Sequence, residues 1–138
     1  TTVEFFQLVK DHLTEDGVMV INVGRSPSDR RLINILYNTI AEVFPTVHIM
    51  DLPDSFNSIL FATVQPTTPQ NLTANFLALS QSLETPYLLL QTMAVTLQNL
   101  QPAPPPDMIF TDDRSPIEWI TNDMILDFLF SGDVENLQ

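Results

Sequence analysis

The apolar positions of this chain change period several times, and each change marks an element. Positions 18–23, Val-Met-Val-Ile-Asn-Val, are apolar on both faces and run into Gly24, the pattern of a buried parallel strand entering a turn. Upstream, Phe5, Leu8, Val9 and Leu13 recur at helical spacing and predict an amphipathic helix over 3–13. Thr14-Glu15-Asp16-Gly17 ends it, with Gly17 suited to a left-handed turn. Downstream, Ser26 is placed to cap a helix, Pro27 to open it and Asp29 to meet its positive end. Ile33, Leu36, Tyr37, Ile40 and Phe44 then lie on one helical face until Pro45 stops it. Strands over 47–52 and 58–64, joined by a turn over 53–57, read as an antiparallel hairpin. The expected order is helix, strand, helix, strand, strand.

Pro66 and Pro69 interrupt this pattern. Two apolar helices follow, over 72–83 and 87–100, with Pro86 at the start of the second. Positions 101–107 form a proline-rich, extended spacer, and 108–110 a short strand or a buried anchor. A terminal helix over 116–129 would bury Trp119, Ile120, Met124, Leu126 and Phe128. Charge divides the chain in the same places. Residues 1–65 are of ordinary globular composition, 66–106 carry only Glu84 and seven prolines, and 107–138 set eight acids against Arg114. Arg114 is expected to pair with those acids.

A strand apolar on both faces normally lies inside a sheet. The chain is therefore read as part of a larger fold, with the open edge of 18–23 covered by a second copy or by the helices of 70–100.

Composition narrows the chemistry. The 138 residues include no cysteine, which excludes disulfides and thiolate chemistry. A net charge of −12 and only five basic side chains argue against nucleic acid and against anionic membrane surfaces. No apolar run reaches the roughly 20 residues needed to span a bilayer. Arg25, Arg30 and Arg31 are either an anion site at a helix start or, for Arg30 and Arg31, solvated charges. His12 and His48 lack metal-ligand neighbours and read as surface or edge residues, and no nucleophile elbow surrounds any serine. Asp112, Asp113 and Glu118 suit a polyamine or a divalent cation. The competing reading has Thr111 or Asp113 capping the terminal helix.

Three segments resemble the C-terminal half of spermidine synthase-like (polyamine aminopropyltransferase-like) proteins, of the class I S-adenosylmethionine-dependent methyltransferase fold. They are Glu4-Phe5-Phe6 through Asp16-Gly17-Val18-Met19-Val20-Ile21-Asn22, Phe44-Pro45-Thr46-Val47 with the hairpin after it, and Thr111-Asp112-Asp113-Arg114-Ser115-Pro116-Ile117-Glu118. The third is the most specific. The resemblance implies an incomplete Rossmann-like α/β fold. Its sheet would be mixed and three-stranded, the last strand lying antiparallel between the other two, with flanking helices and an α-helical extension.

It further implies units at 1–65, 66–106 and 107–138. The glycine-rich loop, ribose acceptor and catalytic Asp loop would then belong to an upstream half of the same protein. S-adenosylmethionine or its decarboxylated form would bind there, and this chain would hold no cofactor and be inactive alone. Substrate-side positions carried over are Gly24, Arg25, Phe56, Asn57, Asp112, Asp113 and Glu118. Two depart from the family: Val23-Gly24-Arg25 stands where an amide or acid helps hold a polyamine, and Phe56 where a tyrosine is usual. Both leave room for an anionic substrate. A cytoplasmic location is expected, with a membrane anchor upstream left open. The competing functional reading is a stand-alone interaction or dimerisation module.

Overall fold

The computed structural model describes residues 1–26, 28–114 and 116–130. Five helices and four strands follow in the order α1 (Val3–Asp11), β1 (Val18–Gly24), α2 (Arg31–Ala41), β2 (Thr46–Asp51), β3 (Asn57–Thr63), α3 (Pro69–Ser80), α4 (Tyr87–Asn99), β4 (Leu100–Gln101) and α5 (Ile117–Phe130). The strands form one open sheet in the order β1-β3-β2-β4, every neighbouring pair antiparallel.

Strand β3 therefore lies between β1 and β2, which run parallel to each other without touching. The expected three-stranded mixed sheet is corrected on two counts. No parallel pair is adjacent, and a fourth strand is present because the chain leaves α4 extended and sets Leu100 and Gln101 against Met50 and Ile49. Expected strand limits shift by a single residue, since backbone pairing extends β2 and β3 to Thr46 and Asn57.

Directly paired residues share a sheet face. Met19-Ala62-Val47, Ile21-Leu60-Ile49 and Val23-Ser58-Asp51 are the cross-strand rows of the inner face. Leu60, Ala62 and Ser58 are fully buried there, beneath Phe6 of α1 and Ile33 and Ile40 of α2, with Phe110, Ile120 and Met124 completing the core. The third row is the polar one, and it sits at the end of the sheet where β1 and β2 finish.

On α1 the core-facing side keeps Val9 and Leu13 of the expected stripe but takes Val3 and Phe6 in place of Phe5 and Leu8. Phe6 is buried, with Val3, Val9 and Leu13 packed beside it, whereas Phe5 and Leu8 are exposed. Lys10, on the inward flank, donates to the Val43 carbonyl at 2.7 Å and lies over the Phe44 ring. Helix α1 ends at Asp11 with a right-handed His12 cap. Gly17 is needed for close approach rather than for left-handed backbone: a Cβ there would lie 2.6 Å from Leu13 Cβ.

Helix α2 starts later than Ser26 implies. Its N-cap is Arg30, with no side-chain cap; Asp29 instead accepts the Arg31 N–H at 2.9 Å, and Ser26 turns toward Ser28. Pro27 lies outside the described residues. Pro69 opens α3 rather than breaking the chain, behind a Thr68–Asn71 capping box. Helix α5 buries Ile120 and Met124 but leaves Trp119 and Leu126 exposed, because only one stripe of it meets α2 and the sheet.

The helices expected as one of two covers for the β1 edge lie instead over β2. Helices α3 and α4 pair with each other, and α4 lies against β2. Val18 and Val20 stay half exposed, and among the described residues no strand or helix covers the free edge of β1.

Candidate functional site

Strands β1 and β2 run in the same direction, so Gly24 and Asp51 finish on the same margin of the sheet. Their β3 partners are Asn57 and Ser58, at the foot of the hairpin turn. Here the Arg25 N–H donates to the Phe56 carbonyl at 2.7 Å, carrying the pairing one residue past β1 and binding that segment to the turn. Asp54 holds a positive φ of 52° within the turn, a conformation that aspartate tolerates better than most residues. The Asn57 side chain donates to Ser55 Oγ at 3.1 Å and stiffens the same bend.

Across this margin lies a pocket of about 420 Å³, within the size range of small-molecule sites. Gly24, Arg25 and Phe56 form its sheet side, and Leu32 comes from α2. Helix α5 closes it with Thr121, Met124, Ile125, Phe128 and Leu129. Phe56 and Phe128 meet edge to face, centroids 5.9 Å apart at 60°.

The charged groups behind this pocket centre on Asp51. Arg30 binds it bidentately, Nη1 at 2.7 Å and Nη2 at 3.1 Å, the Ser58 hydroxyl donates to Oδ1, and Arg25 Nε lies 3.7 Å away. Burial alone would raise the Asp51 pKa, but the Arg30 and Ser58 hydrogen bonds and the two nearby guanidiniums outweigh it and hold the carboxyl below its ordinary range. Arg25 spends Nη2 on the Ser55 carbonyl at 3.1 Å, and its buried Nε has no hydrogen-bond partner among the described residues.

Arg31 faces away from this group. It binds Asp29 on its own segment and reaches Asp123 and Asp127 of α5 at 2.7 and 3.3 Å. Its guanidinium pKa is raised, first by the Asp29 hydrogen bond and then by that of Asp123, while the same bond holds Asp29 low against its own burial. All three arginines meet acids, and Arg31 does so at an exposed position, as expected for a solvated face.

Of the positions singled out in the sequence, Gly24, Arg25 and Phe56 come together on the pocket wall, with Asn57 directly paired to Gly24. Glu118 lines a separate shallow recess with Ile117, Thr121 and Asn122, sharing only Thr121 with the larger pocket.

Asp112 and Asp113 border neither. Thr111 and Arg114 close a tight turn through reciprocal backbone bonds of 3.1 and 2.9 Å, so neither Thr111 nor Asp113 caps α5, which begins at Ile117. Asp112 instead accepts from the Thr2 hydroxyl, and its N–H donates to the Glu4 carboxylate at 3.1 Å, fastening this turn to the start of α1. Among the described residues Arg114 makes no ion pair with Asp112, Asp113 or Glu118, contrary to expectation. Among the described residues no group of three His, Asp or Glu side chains is arranged to hold a metal ion.

Asp51 and Ser58 were not singled out from sequence; Arg30 was read as an anion ligand or a solvated charge, and Met124 and Phe128 only as buried helix positions. Asp51 carried a signal, an acid closing an apolar strand. The α5 residues carried none, because a proline-rich stretch separates them from the sheet.

The chain is 38% identical over 65 residues to a protein of Bifidobacterium longum described as a probable polyamine aminopropyl transferase. That supports a spermidine synthase-like relationship. The match takes in 45% of this chain but only 15% of the relative, so the chain spans a small part of that protein's length. No family model matches the chain, and no solved structure does. Among the described residues no helix is long and apolar enough to cross a membrane.

Proposed function

We propose that this chain is the C-terminal part of a spermidine synthase-like transferase and supplies the substrate-side wall of its active site. The observation that carries the reading is the aminopropyl transferase likeness. The placement of β3 antiparallel between β1 and β2 supports it, as does the pocket at Gly24, Arg25 and Phe56 where β1 ends. The bare edge of β1 is where an upstream half of the same protein would continue the sheet. That half would hold decarboxylated S-adenosylmethionine or S-adenosylmethionine. The three glycines here stand far apart, at 17, 24 and 132, and offer no phosphate-cradling loop.

In aminopropyl transfer the acceptor's nitrogen lone pair forms the new C–N bond. The C–S bond of the sulfonium donor breaks, its electrons leave with sulfur as a thioether, and the acceptor amine releases a proton. The residues of this chain would bind and orient the acceptor and keep water from the reacting carbon.

The test joins this chain to the coding sequence upstream of it and measures thioether release from decarboxylated S-adenosylmethionine with an amine acceptor. Turnover by the joined protein and none by residues 1–138 alone is expected. Turnover by 1–138 alone would overturn the division of labour. A joined protein that binds no sulfonium donor would favour an interaction module, and homodimers formed through β1 would point the same way.

A further inference from the structure

The pocket at the end of β1 carries one charged side chain on its wall, and it is a cation. Arg25 stands there among Leu32, Phe56, Met124 and Phe128, and no carboxylate lines the pocket among the described residues. The nearest acid behind it, Asp51, is already held by Arg30 on both oxygens, by the Ser58 hydroxyl and by Arg25 itself. Arg25 and Arg30 face that one carboxylate, while Asp29, Asp123 and Asp127 pair with Arg31 away from the pocket wall. A polyamine brings at least two ammonium groups at neutral pH. Seating one here would strip its water against apolar walls beside a like charge, with no carboxylate on the wall to accept its protons. Arg25 has the opposite capacity. Of its five side-chain N–H donors, one is committed to the Ser55 carbonyl among the described residues; its backbone N–H is held by the Phe56 carbonyl, and its Nε lies 3.7 Å from Asp51.

We infer that the acceptor seated in this pocket is an amine whose far end bears a carboxylate, or an anionic group of that size, on an apolar body, with Arg25 as its counter-ion. This rests on the transferase reading above. Arginine suits this role because its planar fork matches a carboxylate, and the apolar walls strengthen the pairing by excluding water.

Two probes of equal length separate the alternatives: 6-aminohexanoate and 1,6-diaminohexane. Each is titrated into the 138-residue chain while the methyl resonances of Met124, Ile125 and Leu129 are followed. Saturable shifts with 6-aminohexanoate, and a dissociation constant at least about ten-fold weaker for the diamine, are expected from one charge-assisted pair. Arg25→Gln should weaken 6-aminohexanoate to the level of the diamine, and Arg25→Lys should recover part of the loss. If Arg25→Gln does not fold, the lysine variant and the two wild-type titrations carry the comparison. Equal or tighter diamine binding, no shift with either probe at millimolar concentration, or indifference to Arg25→Gln would overturn the inference.

The same two amines are then offered to the joined enzyme with decarboxylated S-adenosylmethionine. Transfer to the diamine alone overturns the inference and leaves the transferase reading standing. Transfer to neither overturns the reading itself, and with it the pocket's role as acceptor site.

Discussion

The backbone N–H of Phe110 donates to the hydroxyl of Thr39 at 3.0 Å, joining residues 71 positions apart. Both are fully buried, and the Thr39 hydroxyl donates in turn to the Ile35 carbonyl at 2.7 Å. The Phe110 carbonyl accepts from the Val3 N–H at 2.9 Å. One residue at the end of the proline-rich stretch is thus locked to α2 on one side and to α1 on the other. This lock brings the chain back to the core before α5 closes the pocket.

Thr39→Val keeps the shape of the side chain but leaves the Phe110 N–H unpaired in a fully buried site. A loss of about 1–3 kcal/mol is expected in chemical denaturation, with Thr39→Ser close to wild type. An equal loss in both variants would mean that packing, not the hydrogen bond, sets the cost.

Asp51 carries the charges behind the pocket, and Asp51→Asn would leave Arg25 and Arg30 without their shared counter-ion. Removing one partner of this partly buried pair is expected to cost about 1–2 kcal/mol. The folded-state pKa of Asp51 is lowered below its ordinary 3.8. Its stabilisation is therefore complete above that value and is lost as pH falls through the lowered one. Acid titration of stability should be shallower in Asp51→Asn; an unchanged acid limb would show that other carboxylates govern it.

Asp112→Ala removes the acceptor for the Thr2 hydroxyl, the same hydroxyl that caps α1 through the Phe5 N–H. A loss of about 1 kcal/mol is expected, together with faster amide exchange over the first turn of α1. If exchange quickened only around Arg114, the fastening would act on the turn and not on the helix.

His48 is half buried beneath α3 and α4, its Nε2 3.0 Å from Thr67 Oγ1, and burial lowers its pKa from 6.5. A base with a lowered folded pKa favours the unfolded chain once protons are available. Stability should fall as pH drops from about 7 through 6.5 toward the lowered value, and His48→Gln should remove that part of the slope. The melting temperature at a series of pH values checks both.

Local order was legible because it is encoded by neighbours. Apolar periodicity located every helix to within a few residues, and β-branched runs bounded by Pro53 and Pro66 located β2 and β3. The grouping of Gly24, Arg25 and Phe56 could be anticipated, since strand ends and the hairpin turn share one margin of any sheet that pairs β1 with β3. Faces were harder. Helix α1 is apolar on two flanks, and only the position of Phe110 and the sheet selects Phe6 over Phe5 and Leu8.

Long-range closure was not legible at all. The pairing of Leu100 and Gln101 with β2, the sharing of Asp51 between Arg25 and Arg30, and the return of α5 over the β1 margin all depend on contacts between distant segments. Their partners are chosen by which surfaces remain uncovered once the sheet and the first two helices have packed. Local pattern encodes the helices, the first three strands and the residues at the turn. The tertiary structure decided which flank of each helix is buried and which charges neutralise one another, because burial and ion pairing depend on distances that no local pattern carries.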